Sequence, residues 1–279
     1  MASSRPAGDA HPDGSIGDGL IGIVVLTHGR VHLLRQCVEN VLSVTSQATT
    51  EIVIWNNAST DGTRAYLDSV ADARVRVVHH ESNIGQNAYA PAFGMLATEF
   101  LIELDDDVVG APANWDETMR DALHRLPDVG FLAADLEDDP HDVTAQWRYT
   151  HRPHEYTPYE VNGVRLLTGP AGGTCAITSK DIYTRAGGFR QDPKWAFWQE
   201  EPAYIEDIAR LGYSSAVLAD LRVHHTGGPY YCETPPEKEL FWQSYWRMRA
   251  RRVAVKRLVF RVPFFRRLNT RFRWFEAPS

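Results

Sequence analysis

Between residues 21 and 109 the chain alternates short apolar runs with stretches of helical spacing. Residues 21–26, 51–55, 74–79 and 101–104 read as strands, being rich in Val, Ile and Leu and bounded by polar or glycine turns. Between the first two, Leu33, Leu34, Cys37, Val38, Val41 and Leu42 fall on one helical face. Helices are also expected over residues 63–70, from the Asn83-Ile84-Gly85 turn to about residue 97, and over 114–126. A further strand is expected at 129–133, an amphipathic helical stretch from Trp198 to Tyr213, and a last strand at 216–223. Strands alternating with helices at this spacing predict an α/β fold built on a mostly parallel central sheet flanked by helices.

The strand ends carry the chemistry. They finish in Thr27-His28-Gly29-Arg30, Asn56-Asn57-Ala58-Ser59-Thr60-Asp61, Asn83-Ile84-Gly85 and Asp105-Asp106-Asp107, where a tight hairpin would need far fewer polar groups. In an open parallel sheet these ends share one crevice, which is where ligands collect. Three adjacent carboxylates cannot sit uncompensated in a core, so the aspartates are expected to meet solvent or a hard cation, Mg²⁺ or Mn²⁺. The plainer alternative is an acidic turn that caps the next helix. Gly169-Pro170-Ala171-Gly172-Gly173 allows close backbone approach but is no phosphate loop, since no Gly-Lys-Ser/Thr follows. Glu200 and Glu201 open a helix, where acidic residues complement the macrodipole even without a catalytic task. Residues 135–159 are polar and aperiodic, with His141, His151 and His154 among them, and read as a structural or acceptor-contacting loop.

Composition narrows the function. From Arg247 to Arg273 there are eleven Lys+Arg and no acidic residue, leaving 18 basic against 36 acidic residues elsewhere. An acidic body argues against nucleic acid as substrate. The basic, aromatic extension at 236–279 suits an anionic membrane surface or self-association. Residues 1–20, rich in Gly, Ser, Pro and Asp, read as a disordered leader. Cys37, Cys175 and Cys232 form no disulfide framework, and no segment has the pattern of a signal or spanning helix. A cytoplasmic protein is expected, with the extension allowing a peripheral place on the inner face of the membrane.

The ordered set of motifs resembles family 2 glycosyltransferases of the GT-A fold, over roughly residues 21–228. Leu26-Thr27-His28-Gly29-Arg30 stands for the first-strand turn, Asn56 to Asp61 for the second, Asn83-Ile84-Gly85 for the third, and Asp105-Asp106-Asp107 for the DXD motif. Trp198-Gln199-Glu200-Glu201, ending at Gly212-Tyr213, is similar to the family's aromatic-x-Glu-Asp motif, with Glu201 where Asp is usual. Asn56 stands where a carboxylate is commoner, and His28-Gly29 where Tyr-Asn is. The resemblance implies a GT-A domain at 21–235, with a nucleotide-binding half at 21–109 and an acceptor and catalytic half at 110–235. It implies a hexosyltransferase-like enzyme that moves a sugar, with inversion, from a nucleotide-diphospho-sugar to a hydroxyl of a glycan, lipid-linked or small-molecule acceptor. Thr27, His28, Arg30, Asn56, Asn57, Asp61, Asn83, Gly85, Asp105 and Asp106 would meet the donor. Asp107, Asp105 and His225 (with His224 its rival) would hold Mg²⁺ or Mn²⁺. Glu201 would be the base, with Glu200 beside it. The alternatives are a sugar-phosphate nucleotidyltransferase, which needs a longer Gly-rich loop after the first strand, and a catalytically silent nucleotide-sugar-binding or scaffold subunit.

Overall fold

The computed structural model describes residues 19–139, 153–191 and 200–226, together with Ala145, Arg247, Arg251 and Val255. In chain order the elements are β1 (Ile21–Thr27), α1 (Val31–Val44), β2 (Thr49–Asn57), α2 (Thr63–Leu67), β3 (Val75–His80), α3 (Tyr89–Gly94), β4 (Phe100–Asp105) and β5 (Val108–Gly110). There follow α4 (Trp115–His124), β6 (Val129–Leu136), β7 (Pro158–Val161), β8 (Val164–Leu167), β9 (Cys175–Ser179), α5 (Lys180–Ala186), α6 (Glu200–Arg210) and β10 (Ser214–His225).

One sheet runs β3-β2-β1-β4-β9-β6-β10-β8-β7, and β5 joins it through β10. β1 to β4 pair in parallel, so Thr27, Asn57, His80 and Asp105 end side by side. The second half is mixed: β9 is antiparallel between β4 and β6, β10 is parallel to β6, and the β7–β8 hairpin forms the far edge. Side chains alternate between the two faces, as the pleat requires. One face packs Ile23, Val25 and Leu132 under α1 and α4, with Leu34 and Trp115 buried there. The other packs Val24 and Phe131 against Phe93 of α3, Ile182 of α5 and Tyr204 of α6.

Departures from the expected elements have local causes. The helix expected up to residue 97 is a 3₁₀ turn, Gly85–Ala88, running into α3, which stops at Gly94. The β7–β8 hairpin was not expected, because all four β7 residues are exposed and give no apolar alternation. Its turn nevertheless carries an Asn-Gly signal, with φ of 51° at Asn162 and 72° at Gly163. The loop reading for 135–159 therefore fails at both ends: β6 reaches Leu136, and β7 begins at Pro158. His154 lies exposed in a 3₁₀ turn, while His141 and His151 are outside the described residues.

Contacts divide the chain into two compact units, 1–228 and 229–279. In the second, Arg247, Arg251 and Val255 are helical and exposed; otherwise the expectations for 236–279, and those for the leader up to residue 18, lie outside the described residues. Cys37 and Cys175 are buried thiols, and Cys232 is not described. No helix among the described residues is long and apolar enough to cross a membrane.

Candidate active site

At the nucleotide end of the crevice, the polar residues are tied to one another. Asn57 donates from Nδ2 to the Gly85 carbonyl at 3.0 Å and accepts from the Ile84 N–H at 3.2 Å, clamping the third turn onto the second. Asn83 closes that turn by accepting from the Gly85 N–H, and Gly85 has the positive φ of 58° that the bend needs. Asn56 accepts from the Ser59 N–H, and its Nδ2 meets His79 Nδ1 at 3.0 Å, while His79 Nε2 meets Asp68. His28 Nδ1 lies 2.6 Å from the Asn57 carbonyl. Asp61 accepts from the backbone N–H groups of Val31 and Thr63, tying the starts of α1 and α2 together. Burial opposes ionisation there, but these bonds prevail and lower the Asp61 carboxyl. Thr27 is buried at the end of β1, opposite Asn56. The residues expected at the donor thus converge, and Asn56, Asn57 and Asp61 also engage protein atoms that shape the turns.

The acidic turn differs from expectation. Only Asp105 is partly open; Asp106 and Asp107 are 0% and 2% exposed. Arg30, expected at the donor, reaches from the start of α1 and bonds Asp106, while its Nη1 donates to Asp107 Oδ2 at 2.8 Å. Asp106, also expected at the donor, is turned inward onto this guanidinium. A buried carboxylate needs a partner, and Arg30 supplies it for two of the three.

His225 supplies a second partner. β10 returns antiparallel to β5, pairing His225 with Val108, and the Thr226 N–H donates to the Asp107 carbonyl at 2.9 Å. This register turns His225 inward, with Nε2 3.2 Å from Asp107 Oδ1, and sends His224 outward to Glu137. Asp105, Asp107 and His225 each offer a ligand atom within 4.8 Å of the others. Asp107 Oδ1 is buried without a hydrogen bond of good geometry. Burial opposes its ionisation, yet His225 and Arg30 overcome that and hold Asp107 well below the usual carboxylate range. Asp105 is pushed up to about 6, by burial first and by Asp107 next.

Glu201 stands in the first turn of α6 and accepts the Gly173 N–H on Oε1 at 2.9 Å. Burial raises its carboxyl against the opposing pull of that bond. Its charge also acts to raise Asp105, so the base candidate and the acidic turn feel one another. Glu200 begins α6. Sequence reasoning gave no role to Glu103, a 1% exposed carboxylate on β4 beside Gly173. Its signal was one charge within the apolar run Leu101-Ile102-Glu103-Leu104. A Cβ on Gly173 would overlap Glu103 Oε1 and come within 2.7 Å of Glu201 Oε1. Gly173→Ala is therefore expected to displace Glu201 and lower kcat about 10²-fold, the cost of roughly ångström-scale misplacement. Steady-state kinetics beside a melting curve separates this from unfolding; wild-type kcat would show that Glu201 needs no such seat.

The same architecture occurs in solved structures. A mannosyltransferase from Pyrobaculum calidifontis, solved with GDP-Man and Mn²⁺, superposes with TM-score 0.53 at 20% identity, over 75% of this chain and 57% of that one. S. aureus TarS 1-349 gives TM-score 0.53 at 16% identity, over 74% of this chain and 60% of that one. The glucosyl-3-phosphoglycerate synthase of Mycobacterium tuberculosis, solved with Mn²⁺, UDP and glucosyl-3-phosphoglycerate, gives 0.51 at 14%, over 84% and 81%. The chain thus spans less than two thirds of the first two, and at these identities the likeness speaks for a shared fold. No curated protein matches by sequence. The family model for glycosyl transferase family 2, however, matches residues 22–186, more than half of the chain. This protein belongs to glycosyl transferase family 2.

Proposed function

We propose that this glycosyltransferase is metal-dependent and inverting, moving a sugar from a nucleotide-diphospho-sugar to an acceptor hydroxyl. The observation that carries this is the meeting of Asp105, Asp107 and His225 at the strand ends, with Glu201 near enough for its charge to act on Asp105. That donor set fits Mg²⁺ or Mn²⁺: the 3.2 Å between Asp107 Oδ1 and His225 Nε2 is close to the ~3 Å between neighbouring octahedral ligands at ~2.1 Å. The cation, when bound, would supply Lewis-acid neutralisation of the leaving diphosphate. Arg30 fixes Asp107 from its other oxygen and keeps the acidic turn from repelling itself. Asn57, Asn83 and Gly85 hold the nucleotide rim in shape, and Thr27 and His28 line its first-strand side. The Gly173 N–H holds one Glu201 oxygen, and the other accepts the proton as the acceptor hydroxyl attacks opposite the leaving group.

A screen of uridine- and guanosine-diphospho-sugars for thermal stabilisation tests the reading. Stabilisation by at least one donor only when Mn²⁺ or Mg²⁺ is present is the expected result. No stabilisation by any donor, or the same shift in chelator, counts against it.

The pH profile gives a separate check on the base. Glu201 acts unprotonated, and burial raises its carboxyl, so kcat/KM should fall as pH drops. The midpoint of that acid limb is expected above the ordinary glutamate value of about 4.3. A limb that persists unchanged in Glu201→Gln would assign the titration to another group.

The extension at 236–279 is proposed to bind anionic surfaces through its Arg and aromatic residues. Cosedimentation with phosphatidylserine vesicles should fall when the extension is removed. Equal binding without it, or none with it, removes the idea.

A further inference from the structure

A cavity of about 550 Å³ lies away from the metal-ligand cluster, between the β7–β8 hairpin and the ends of β6 and β10. Tyr156, Tyr159, Glu160 and Arg165 wall it on one side, and Asp135 and Arg222 on the other. An irregularity in β10 builds it. Leu218 pairs with Ala134, yet the next pair is Arg222 with Asp135, so Ala219, Asp220 and Leu221 bulge out of register. Bulges of this kind re-aim side chains beside functional sites. Here the bulge sends Asp220 out to take Arg165 in a two-pronged pair, and brings Arg222 Nε to within 3.2 Å of Asp135.

The pairing decides the class of ligand. Both guanidinium groups already face carboxylates, so the cavity offers little net attraction to a phosphate or other anion. Charged groups on both walls make it unsuitable for a lipid tail. What remains is a neutral, hydroxyl-rich molecule with an apolar ring face. Tyrosine rings cover such a face, while fixed carboxylate and guanidinium edges bond paired hydroxyls. Those are the features of a carbohydrate, and the volume is within the range of small-molecule sites.

The segments that line the cavity also lead to the residues that hold the base. On β6, Asp135 follows Phe131 and Ala133 on the face that packs Tyr204 of α6, the helix that carries Glu201. Tyr156 donates to the Pro170 carbonyl at 3.1 Å, and three residues further on the Gly173 N–H holds Glu201. Arg222 precedes His225 by three residues, about 10 Å along an extended strand. A sugar chain seated in the cavity can thus lead to the reacting centre a few residues away.

We propose that this cavity is a glycan subsite, so that the acceptor is an oligosaccharide and not a lone small alcohol; the proposal rests on the glycosyltransferase reading above. The test is saturation-transfer NMR of the full chain against a panel of defined di- to tetrasaccharides of hexoses and N-acetylhexosamines. At least one is expected to bind the wild type, with Tyr159→Ala weakening it about five- to tenfold through loss of ring stacking. Arg165→Gln, changed on an exposed side chain, should weaken the same ligand and serves as the second variant if Tyr159→Ala does not fold. Failure of the whole panel to bind the wild type, or unchanged affinity in the folded variants, overturns the subsite. Mn²⁺-dependent binding of UDP or GDP by the wild type, measured in parallel, separates the two readings. If it is present while the glycan signals fail, only the subsite is lost; if it is absent, the metal-dependent donor reading fails as well.

Discussion

Glu201→Gln is expected to lower transfer by roughly 10²–10⁴-fold while donor and cation still bind, because the amide keeps the shape but cannot take the acceptor's proton. Gln also keeps an oxygen for the Gly173 N–H, so the seat of the side chain should persist. The loss should therefore appear in kcat more than in donor KM. Glu200→Gln, measured in the same assay, should cost less. If Glu200→Gln is the dead variant and Glu201→Gln the active one, the base is the neighbouring residue. If both turn over normally, the proton is taken elsewhere.

Asp107→Asn should have its largest effect on the cation. The substitution keeps size and one oxygen but removes the charge that balances Arg30 and would face the cation. Mn²⁺ affinity is expected to drop by at least about 100-fold, since even an outer-sphere partner of a metal ligand is worth about 10- to 100-fold. Nucleoside diphosphate binding should fall with it. His225→Ala should act in the same direction, and His224→Ala should not, since His224 faces Glu137. Calorimetry with Mn²⁺ checks all three, and equal losses at His224 and His225 would contradict the observed register.

The nucleotide-binding half was legible because its periodicity is strong. Strands β1 and β4 are nearly unbroken apolar runs, β2 and β3 carry shorter ones, and each ends in a polar turn, so both their direction and the shared crevice followed. The second half depends on pairings far apart in sequence. Nothing local announces that β9 inserts antiparallel between β4 and β6, or that β10 bulges after Leu218. The choice between His224 and His225 was open for the same reason: a one-residue change of register exchanges them, and only the pairing with β5 decides.

Charge was harder to place than hydrophobicity. Three adjacent aspartates announce a cation, but not that Arg30, 77 residues from Asp107, already neutralises part of the turn. Asn56, Asn57 and Asp61 are expected at the donor from their place at strand ends, and that place alone did not announce that they also hold the turns together. Gly173 was noted for its backbone freedom, whereas its importance lies in leaving space between Glu103 and Glu201.

The most direct test follows the anomeric carbon. Proton NMR of the first-formed sugar, released from α-linked donors such as GDP-Man or taken up by an acceptor, reports configuration before mutarotation. The expected result is a β-anomer that appears only with Mn²⁺ or Mg²⁺ and is nearly lost in Glu201→Gln. An α-anomer, or turnover that continues undiminished in chelator, would contradict the account.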